Sequence, residues 1–550
     1  MGLMKSGTGA QSPNASPHAG HDKHPKHPHQ HPHQHPHQHA HPHPVPGEVD
    51  VKLEVKYAIN KIPSVLVDGK AQNFDSVKLR SYNGSLVGPV IEARPGDTLN
   101  ILLDNQLPVE PRPPGTDPHG MPPSFNTTNL HVHGLHVSPV GNSDNVMIGL
   151  VPGQQFHYEI KIPKDHPAGT YWYHSHIHGS TAIQVSSGMA GALIIRGDID
   201  KVPAIKAAQE KIFVIQQIPY VINAQTKLGQ VEPGDLFEGV PVFVPGIWER
   251  MKRYFTLNGE VQPTIQMKPG EVQRWRFIHA GFRAKLELKL VRRDPKTGVE
   301  ETLPQYLIAL DGITTGSLDA LAEVEMHPAY RADVLVRATD KAGKALPEGT
   351  YWLVDATQDA KSVSRDLARI VVKGTAVAMA LPKEKELAPL APLADIQDSE
   401  ITGHQKAAFE LRIDSVPPVG LINGKTFDPN APPRKLLLGG VDHWEVSSPA
   451  HPNDPRFAPE GHPFHIHVNP FQCTIKLKGM DGEKKKRVWK DTIFVELGET
   501  MHLRTRYERY IGVFMVHCHI LDHGDFGMME AMEVVLPGDM GHGGGGHHTH

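Results

Sequence analysis

The chain is 550 residues long and nearly balanced in charge, with 56 basic and 60 acidic side chains and a net charge of −4. This balance excludes the strongly basic surface of a nucleic-acid-binding protein, and no apolar run is long enough for a membrane span. We therefore expect neither nucleic acid nor a membrane as a partner. The length suits about three domains, and the 51 glycines and 49 prolines favour many short strands joined by turns.

Residues 1–47 have low complexity, and from residue 18 to residue 43 histidine alternates with proline, glutamine and alanine. Such a composition cannot supply a packed core, so the pattern predicts disorder. Two interpretations stay open: the imidazoles bind copper or zinc loosely, or the segment is only a solvated tail. Lys5 is present but no apolar stretch follows it, so no signal peptide is predicted. The chain is then cytoplasmic, or its sequence starts after a removed signal.

The first predicted domain, 48–200, contains two histidine pairs. They are His131 with His133, and His174 with His176, each separated by one residue. On a β-strand alternate side chains point to the same face, so both imidazoles of a pair lie together.

Internal repeats divide the rest of the chain. The sequence GTYWYH at 169–174 recurs as GTYWLV at 349–354 and as GVFMVH at 512–517. A glycine followed by an acid also precedes a predicted strand three times, at Gly96, Gly270 and Gly498. These repeats predict three related all-β domains at 48–200, 201–390 and 391–538, with a linker at 376–399 and a flexible tail at 539–550. The middle copy has Asp355 and Ala356 near the histidine positions of the others, so we predict a spacer without metal.

The third domain carries the richest stretch of the chain, His517, Cys518, His519, His523 and Met528. Strand alternation directs Cys518 away from the two flanking histidines, so one strand can serve two metal centres. His523 and Met528 follow the strand and can return to the thiol side. Two histidines, a cysteine and a weak methionine are the ligands of a blue-copper site.

A second motif of this domain consists of His462, His465 and His467. Its spacing predicts the same division of side chains between the two faces of a strand. His465 and His467 share a face, while His462 can face the other way, as Cys518 does. The alternative for Cys518 is a buried cysteine among surface histidines. The other cysteine, Cys473, is expected to be a free buried thiol, so if Cys518 binds metal no intramolecular disulfide is left.

With these four clusters, the sequence resembles the three-domain multicopper oxidases, and specifically their bacterial laccase-like members. The resemblance covers nearly the whole chain after the histidine-rich tail and includes the Cys-x4-His-x4-Met run from Cys518 to Met528. It implies an all-β fold of three cupredoxin-like Greek-key β-barrels. It also implies four copper ions, one of type 1, one of type 2 and two of type 3.

By motif position, the resemblance also implies which residues bind each copper. The type 1 ion takes His462, Cys518, His523 and an axial Met528. The type 2 ion takes His131 and His465. The type 3 pair takes His133, His174 and His519 on one ion, and His176, His467 and His517 on the other.

Carboxylates usually orient such ligands and supply protons. Asp144, after the first motif, is the candidate, and a loop carboxylate in a turn is its alternative. The sequence departs from many bacterial relatives, which have an acid directly after the second type 1 histidine. Here Gly524 occupies that position, so Asp522 or Asp525 is expected to substitute, and Asp525 is counted among the candidate catalytic residues.

The leading functional hypothesis is a laccase-like oxidase that couples one-electron oxidation of phenols or aromatic amines to reduction of dioxygen to water. A metallo-oxidase of cuprous or ferrous ions is the alternative. The scattered methionines disfavour it, whereas the histidine-rich tail favours it. The third hypothesis is a copper-binding protein without catalytic turnover. We expect a monomer whose partners are dioxygen and a small reductant. The resemblance implies a periplasmic or secreted location.

Overall fold

A computed structural model describes residues 47–67, 70–109, 125–222, 229–230, 252–358, 365–415 and 417–539. Strands dominate these residues, which confirms the all-β prediction. The predictions for residues 1–46 and 540–550 lie outside the described residues. Within the described ranges, no helix is long and apolar enough to cross a membrane.

Two sheets form the first part of the molecule. In the first sheet β1 is antiparallel to β2 and parallel to β4, which pairs with β6, and the second sheet has the order β3-β8-β7-β5. Leu53, Leu103, Tyr173 and Leu193 come from both sheets and belong to one buried apolar cluster. The elements are β1 (Glu48–Val67), β2 (Lys70–Tyr82), β3 (Ile91–Ala93), β4 (Thr98–Asn105), β5 (His131–His133), β6 (Gln155–Lys161), β7 (Gly169–His174), α1 (Thr181–Ser186) and β8 (Ala190–Ile195).

The middle part repeats this plan. Strand β13 is parallel to β9 and antiparallel to β19, and the opposing sheet has the order β12-β21-β20-β14-β15, with β18 beside β14. The elements are α2 (Pro203–Ala207), β9 (Gln209–Ile222), β10 (Gly229–Gln230), β11 (Lys252–Leu257), β12 (Thr264–Met267), β13 (Val272–His279), β14 (Leu286–Arg293), β15 (Glu300–Leu303), β16 (Gln305–Leu310), β17 (Ile313–Leu321), β18 (Val324–Met326), β19 (Arg331–Arg337), β20 (Gly349–Asp355), β21 (Asp366–Val372) and α3 (Glu384–Leu387).

The third part has the same plan again. Strand β25 is parallel to β22 and antiparallel to β30, and the opposing sheet has the order β24-β32-β31-β26-β29. The elements are β22 (Gly403–Arg412), β23 (Val419–Ile422), β24 (Arg434–Leu437), β25 (Val441–Ser447), β26 (His462–Ile466), β27 (Phe471–Gly479), β28 (Gly482–Lys490), β29 (Thr492–Val495), β30 (Thr500–Arg506), β31 (Gly512–Cys518), α4 (Leu521–Asp525) and β32 (Met529–Val535). Four 3-10 turns complete the described chain, at Asp198–Lys201, Ala388–Leu390, Asp398–Glu400 and Pro537–Asp539.

The three repeated sequences occupy equivalent strands. Strands β7, β20 and β31 each begin at a glycine and lie between two antiparallel neighbours. Each of the three predicted glycine–acid turns precedes a strand, but the three strands are not all equivalent. Gly96 precedes β4 and Gly270 precedes β13, and each of these strands is parallel to the first strand of its repeat. Gly498 instead precedes β30, which is antiparallel to β25. The equivalent turn of the third repeat is at Gly439, with φ +81°, before β25.

The domain boundaries stay a prediction. One buried apolar cluster extends through the middle and third repeats, from Phe213 to Val534. In addition, β17 pairs with β27 through Leu321 and Gly479. These contacts join consecutive repeats, so the sheets alone do not set a boundary between them.

Candidate metal centres

Two strands of the first repeat present histidines on one face. In the antiparallel pairing of β5 and β7, His131 lies opposite His174 and His133 lies opposite Trp172. Residues directly opposite each other share a face, so the three imidazoles project together. All three are buried, and their ligand nitrogens lie within 4.8 Å of one another. The fourth histidine, His176, follows the strand and is also buried.

Two strands of the third repeat complete this histidine group. In the pairing of β26 with β31, His465 lies opposite His517, and Phe464 lies opposite Cys518. The thiol therefore faces away from His517, as strand alternation predicts. The two repeats meet through stacked imidazoles: His131 on His467 at 4.0 Å and His133 on His465 at 3.8 Å between ring centroids.

Three Nε2 atoms from the two repeats converge. The distances are 3.0 Å between His176 and His517, 3.1 Å between His176 and His467, and 3.2 Å between His467 and His517. Neutral imidazoles cannot satisfy all three contacts with hydrogen bonds, because each contact needs one donor and one acceptor. Two nitrogens that each lie 2.0–2.1 Å from a tetrahedral ion are about 3.3 Å apart. The triangle therefore has the dimensions of ligands to one metal ion.

Hydrogen bonds to Nδ1 explain why the Nε2 atoms are free to act as ligands. His174 and His517 each have Nδ1 beside a backbone carbonyl oxygen, at 2.7 and 2.9 Å, and His465 Nδ1 lies 2.9 Å from the Asp491 carbonyl oxygen. An Nδ1–H that donates to oxygen leaves the lone pair on Nε2. Burial also lowers the pKa of these three imidazoles, and it lowers the pKa of His517 to about 4. The rings are therefore neutral near pH 7.

Unpartnered buried nitrogens test whether a metal fits. Buried polar atoms without a hydrogen bond are rare in folded proteins. Here His131 Nε2, His133 Nδ1, His174 Nε2, His465 Nε2 and both ring nitrogens of His519 have no hydrogen-bond partner. The His519 ring lies 5.0 Å from that of His133 and 5.5 Å from that of His174. Neutral imidazoles with free lone pairs suit copper, so the residues fit this metal.

A second cluster lies on the opposite side of β31. Cys518 Sγ is 3.7 Å from His462 Nδ1 and 3.7 Å from His523 Nδ1, and the two nitrogens are 3.3 Å apart. Burial raises the pKa of the Cys518 thiol well above its usual range and lowers that of His462 to about 3. A thiolate at this position therefore needs a bound cation, and copper is such a partner.

Met528 lies beside this cluster. Its side chain is fully buried, and its backbone accepts from the Cys518 N–H at 3.1 Å and donates to the His523 carbonyl at 2.9 Å. Its predicted axial role stays a prediction. The neighbouring Met529 packs instead with Val146 and Met515.

Asp144 holds the first histidine motif. Its two carboxylate oxygens lie 3.0 Å from His131 Nδ1, and Oδ1 also accepts from the Val132 N–H at 3.0 Å. The side chain is buried. The structure thus brings Asp144 to a predicted ligand, where it orients the ring and leaves Nε2 unpartnered.

Asp525 lies at the end of α4 and binds the start of α1. Its carboxylate accepts from the backbone N–H groups of Gly179, Thr181 and Ala182, at 2.7, 3.2 and 2.8 Å. It therefore ties the start of α1 to the end of α4. Asp522, the other acid proposed from the sequence, pairs with Arg283 of the middle repeat at 2.6 Å. A part in proton transfer stays a prediction for both acids.

Sequence reasoning missed Asp491, which lies directly before β29. Its Oδ1 is 3.2 Å from His133 Nε2, and its carbonyl oxygen is 2.9 Å from His465 Nδ1. Both carboxylate oxygens bind the guanidinium of Arg331 in the middle repeat, and Thr492 Oγ1 donates to Oδ1 at 2.8 Å. Asp491 therefore directs His133 Nδ1, rather than Nε2, towards the cluster. No spacing in the sequence links Asp491 to the histidine motifs.

Glu460 was also missed, although it stands only two residues before His462 and could have been found there. Its Oε1 lies 3.4 Å from His523 Nε2, and Oε2 lies 3.2 Å from Arg283. Burial raises the pKa of Glu460, but His523 and Arg283 outweigh it and hold this pKa at about 2. The side chain keeps 29% exposure, so an ionised carboxylate connects the buried thiol cluster with the surface.

Two histidines that extend the motifs have other surroundings. His136 Nδ1 lies 2.9 Å from the Val468 carbonyl oxygen. The His178 ring packs against Phe427 at 5.2 Å. These contacts agree with leaving both residues out of the predicted ligand sets.

Comparisons with known proteins agree with this geometry. Residues 392–537 match a family model described as multicopper oxidase, and residues 124–199 match a second model with the same description. A protein named multicopper oxidase mco from Staphylococcus aureus is 26% identical over 457 residues, which cover 82% of this chain and 83% of the relative. A laccase from Haloferax volcanii is 25% identical over 493 residues, with 83% of this chain and 78% of the relative covered.

A solved structure gives the same result for the fold. A multicopper oxidase from Campylobacter jejuni, described as a metallo-oxidase, is 25% identical and has a TM-score of 0.64, with 90% of this chain and 92% of that chain covered. This likeness confirms the prediction of cupredoxin-like domains.

Proposed function

We infer, from the membership of this chain in the multicopper oxidase family, that it oxidises small phenols or aromatic amines and reduces dioxygen to water. One observation carries the proposal: β31 supplies Cys518 to the thiol cluster and His517 to the histidine cluster on its opposite faces. The family binds four copper ions, which, when bound, supply one-electron redox changes and the site of dioxygen reduction.

The proposed ligand sets are those of the resemblance. His462, Cys518 and His523 would hold the type 1 ion, with Met528 as the proposed fourth ligand. The remaining eight histidines would hold the type 2 and type 3 ions. The convergent ligand atoms of both sets support this proposal, as do the unpartnered nitrogens of the histidine set. Each repeat alone offers only part of the histidine set, so the larger centre needs both.

The backbone at Cys518 connects the two clusters. His517 and His519 are its covalent neighbours, and His517 Nδ1–H donates to the Cys518 carbonyl oxygen at 2.9 Å. An electron that arrives at the thiol cluster therefore has a path of covalent bonds and one hydrogen bond to the imidazoles. All of these residues are buried, so the path excludes water.

Glu460 is the proposed contact for the reducing substrate. A phenol that loses one electron becomes a strong acid, and a carboxylate next to the electron acceptor can take its proton. Glu460 is ionised, partly exposed and 3.4 Å from His523 Nε2. Arg283 pairs with Glu460 and with Asp522. Its positive charge disfavours a second cation here, which favours an organic substrate over a metal ion.

The second candidate function is oxidation of cuprous or ferrous ions. The description of the Campylobacter jejuni structure as a metallo-oxidase favours it, as does the histidine-rich composition of residues 1–47. The presence of Arg283 beside both carboxylates disfavours it.

The deciding experiment compares steady-state kcat/KM for a phenol and for cuprous ion at equal copper loading. We expect the phenol to be preferred, and Glu460→Gln to lower its kcat/KM by about 100-fold, the lower end of a general acid–base contribution. Glu410→Gln is the matched control, because Glu410 binds His451 in the same repeat at 2.6 Å but does not belong to the thiol cluster. A preference for cuprous ion would reject the phenol oxidase, and equal effects of the two variants would reject the role of Glu460.

A further inference from the structure

Three histidines outside both clusters lie on the outer face of the third repeat. His404 on β22 and His443 on β25 are direct partners in the parallel pairing of these strands. His502 on β30 lies opposite Glu445, and so diagonally across from His443. His404 and His502 are exposed and His443 is half-buried, whereas Trp444, between His443 and Glu445, points into the core. The sheet thus displays three imidazoles to solvent.

Two of these rings are in contact, and the third lies beside them. His443 Nε2 and His502 Nδ1 are 3.2 Å apart, and the two rings are nearly parallel at 7°. The His404 ring centroid is 5.6 Å from that of His443. Nitrogens bound to one tetrahedral ion at 2.0–2.1 Å lie about 3.3 Å apart. The 3.2 Å contact is also that of a hydrogen bond between the two rings, which a bound ion would replace. Binding by all three imidazoles further requires a rotation of the exposed His404 towards the other two rings.

The surrounding charges do not oppose a cation. Lys406, two residues after His404, pairs with Glu445 at 2.9 Å. Arg504, opposite His443, pairs with Asp398 and donates to the Ile396 carbonyl oxygen at 2.7 Å. Burial, followed by the two neighbouring imidazoles, lowers the pKa of His443, so this ring offers a lone pair at neutral pH.

We propose that His404, His443 and His502 form a surface binding site for a divalent copper or zinc ion, separate from the four coppers of the oxidase. Imidazoles suit both ions, and copper binds such ligands more tightly. Three nitrogens supply three of the four positions that a tetrahedral zinc ion prefers, and solvent can take the fourth. The ion exchanges with solvent directly, because two of the three ligands are exposed.

The test uses copper-loaded full-length protein and measures thermal unfolding with increasing zinc. An ion that binds only the folded chain at a hundred-fold excess over its Kd should raise the Tm by about 2 °C for a protein of this size. His443→Gln and His502→Gln should remove this shift. The histidines of residues 1–47 and 541–550 are present in every variant, so their binding cancels in the comparison.

His157→Gln is the matched control, because His157 is an exposed histidine on a strand of the first repeat. It should keep the full zinc-dependent shift. Titration calorimetry with cupric ion should show one binding site fewer in His443→Gln than in the parent. In the parent, cupric ion should bind this site more tightly than zinc does. An equal zinc shift in the parent, His443→Gln and His502→Gln would overturn the proposal, as would loss of the shift in His157→Gln. All variants should keep parental phenol oxidation, which shows that they are folded and metal-loaded.

Discussion

Replacement of Asp491 by asparagine tests how the protein positions His133, a proposed copper ligand. Asparagine keeps the shape of the side chain but removes its charge and replaces one acceptor by an NH2 donor. In the protein, Asp491 accepts from Arg331 with both oxygens and lies 3.2 Å from His133 Nε2. Oδ1 faces both Arg331 and His133, whereas Oδ2 faces Arg331, so the new donor opposes Arg331 in either orientation. The loss of charge also weakens the contact to His133.

Two effects of different size follow from these contacts. Removing one partner of a buried ion pair costs about 3–5 kcal/mol. Asp311 remains 3.8 Å from the Arg331 guanidinium, so we expect the lower end, about 3 kcal/mol of unfolding free energy. Loss of a group that orients a metal-binding histidine lowers metal affinity about 10–100-fold, which is about 1.4–2.7 kcal/mol of binding free energy.

The assay measures copper retained against a graded chelator together with thermal unfolding. Asp333→Asn is the matched control, because Asp333 is a buried acid that binds Arg274 at 2.6 Å and Arg276 at 2.9 Å. It should lose similar stability but keep parental copper affinity. If Asp491→Asn retains copper as firmly as Asp333→Asn does, Asp491 stabilises the fold without positioning His133.

Three further predictions address the thiol cluster and the buried histidines. Cys518→Ser should abolish the thiolate-to-copper absorption and the oxidase activity while circular dichroism stays unchanged, because serine oxygen is a poor partner for this copper; a retained blue band would contradict the ligand assignment. Met528→Leu should keep the colour and raise the type 1 potential in a redox titration, because the thioether stabilises oxidised copper slightly; a lowered potential would favour Met529 instead. Burial lowers the pKa of His279 to about 4 against about 6.5 when unfolded, so the unfolded state binds more protons between these values and stability falls as pH falls from about 6.5 towards 4. Between pH 7 and pH 5 this histidine should cost about 2 kcal/mol, and denaturant unfolding of His279→Gln should show a shallower loss than the parent, whereas an equal loss would contradict the prediction.

Spacing and strand alternation predicted which faces the histidines share. His131 and His133 on β5, and Cys518 opposite in direction to His517 on β31, follow from the two-residue period alone. The GTYWYH repeat also identified equivalent strands. The glycine–acid turn at Gly498 precedes a strand as predicted, but that strand is not the equivalent of β4 and β13. Glycine with an acid is common before any strand and does not indicate which strand follows.

The supporting residues could not be predicted in the same way. Asp491 and Arg331 are 160 residues apart in the sequence, and Asp525 reaches α1 across more than 340 residues. Only the packing of the repeats brings these groups together, and one sequence contains no signal for it. Asp525 accepts from backbone N–H groups at the start of α1, a structural contact that its position in the sequence does not predict, and its part in proton transfer stays a prediction.

The convergence of His176, His467 and His517 has a consequence for biosynthesis. His176 and His517 are 341 residues apart, and β31 is the second-last strand of the described chain. Chains are made at about 5–20 residues per second, and domains emerging first fold first. The first repeat therefore waits on the order of 20–70 seconds after its own completion before the last ligands leave the ribosome. The full set of proposed ligands is thus available only after β31 has been synthesised, and a chain truncated before β31 would lack residues of both proposed centres.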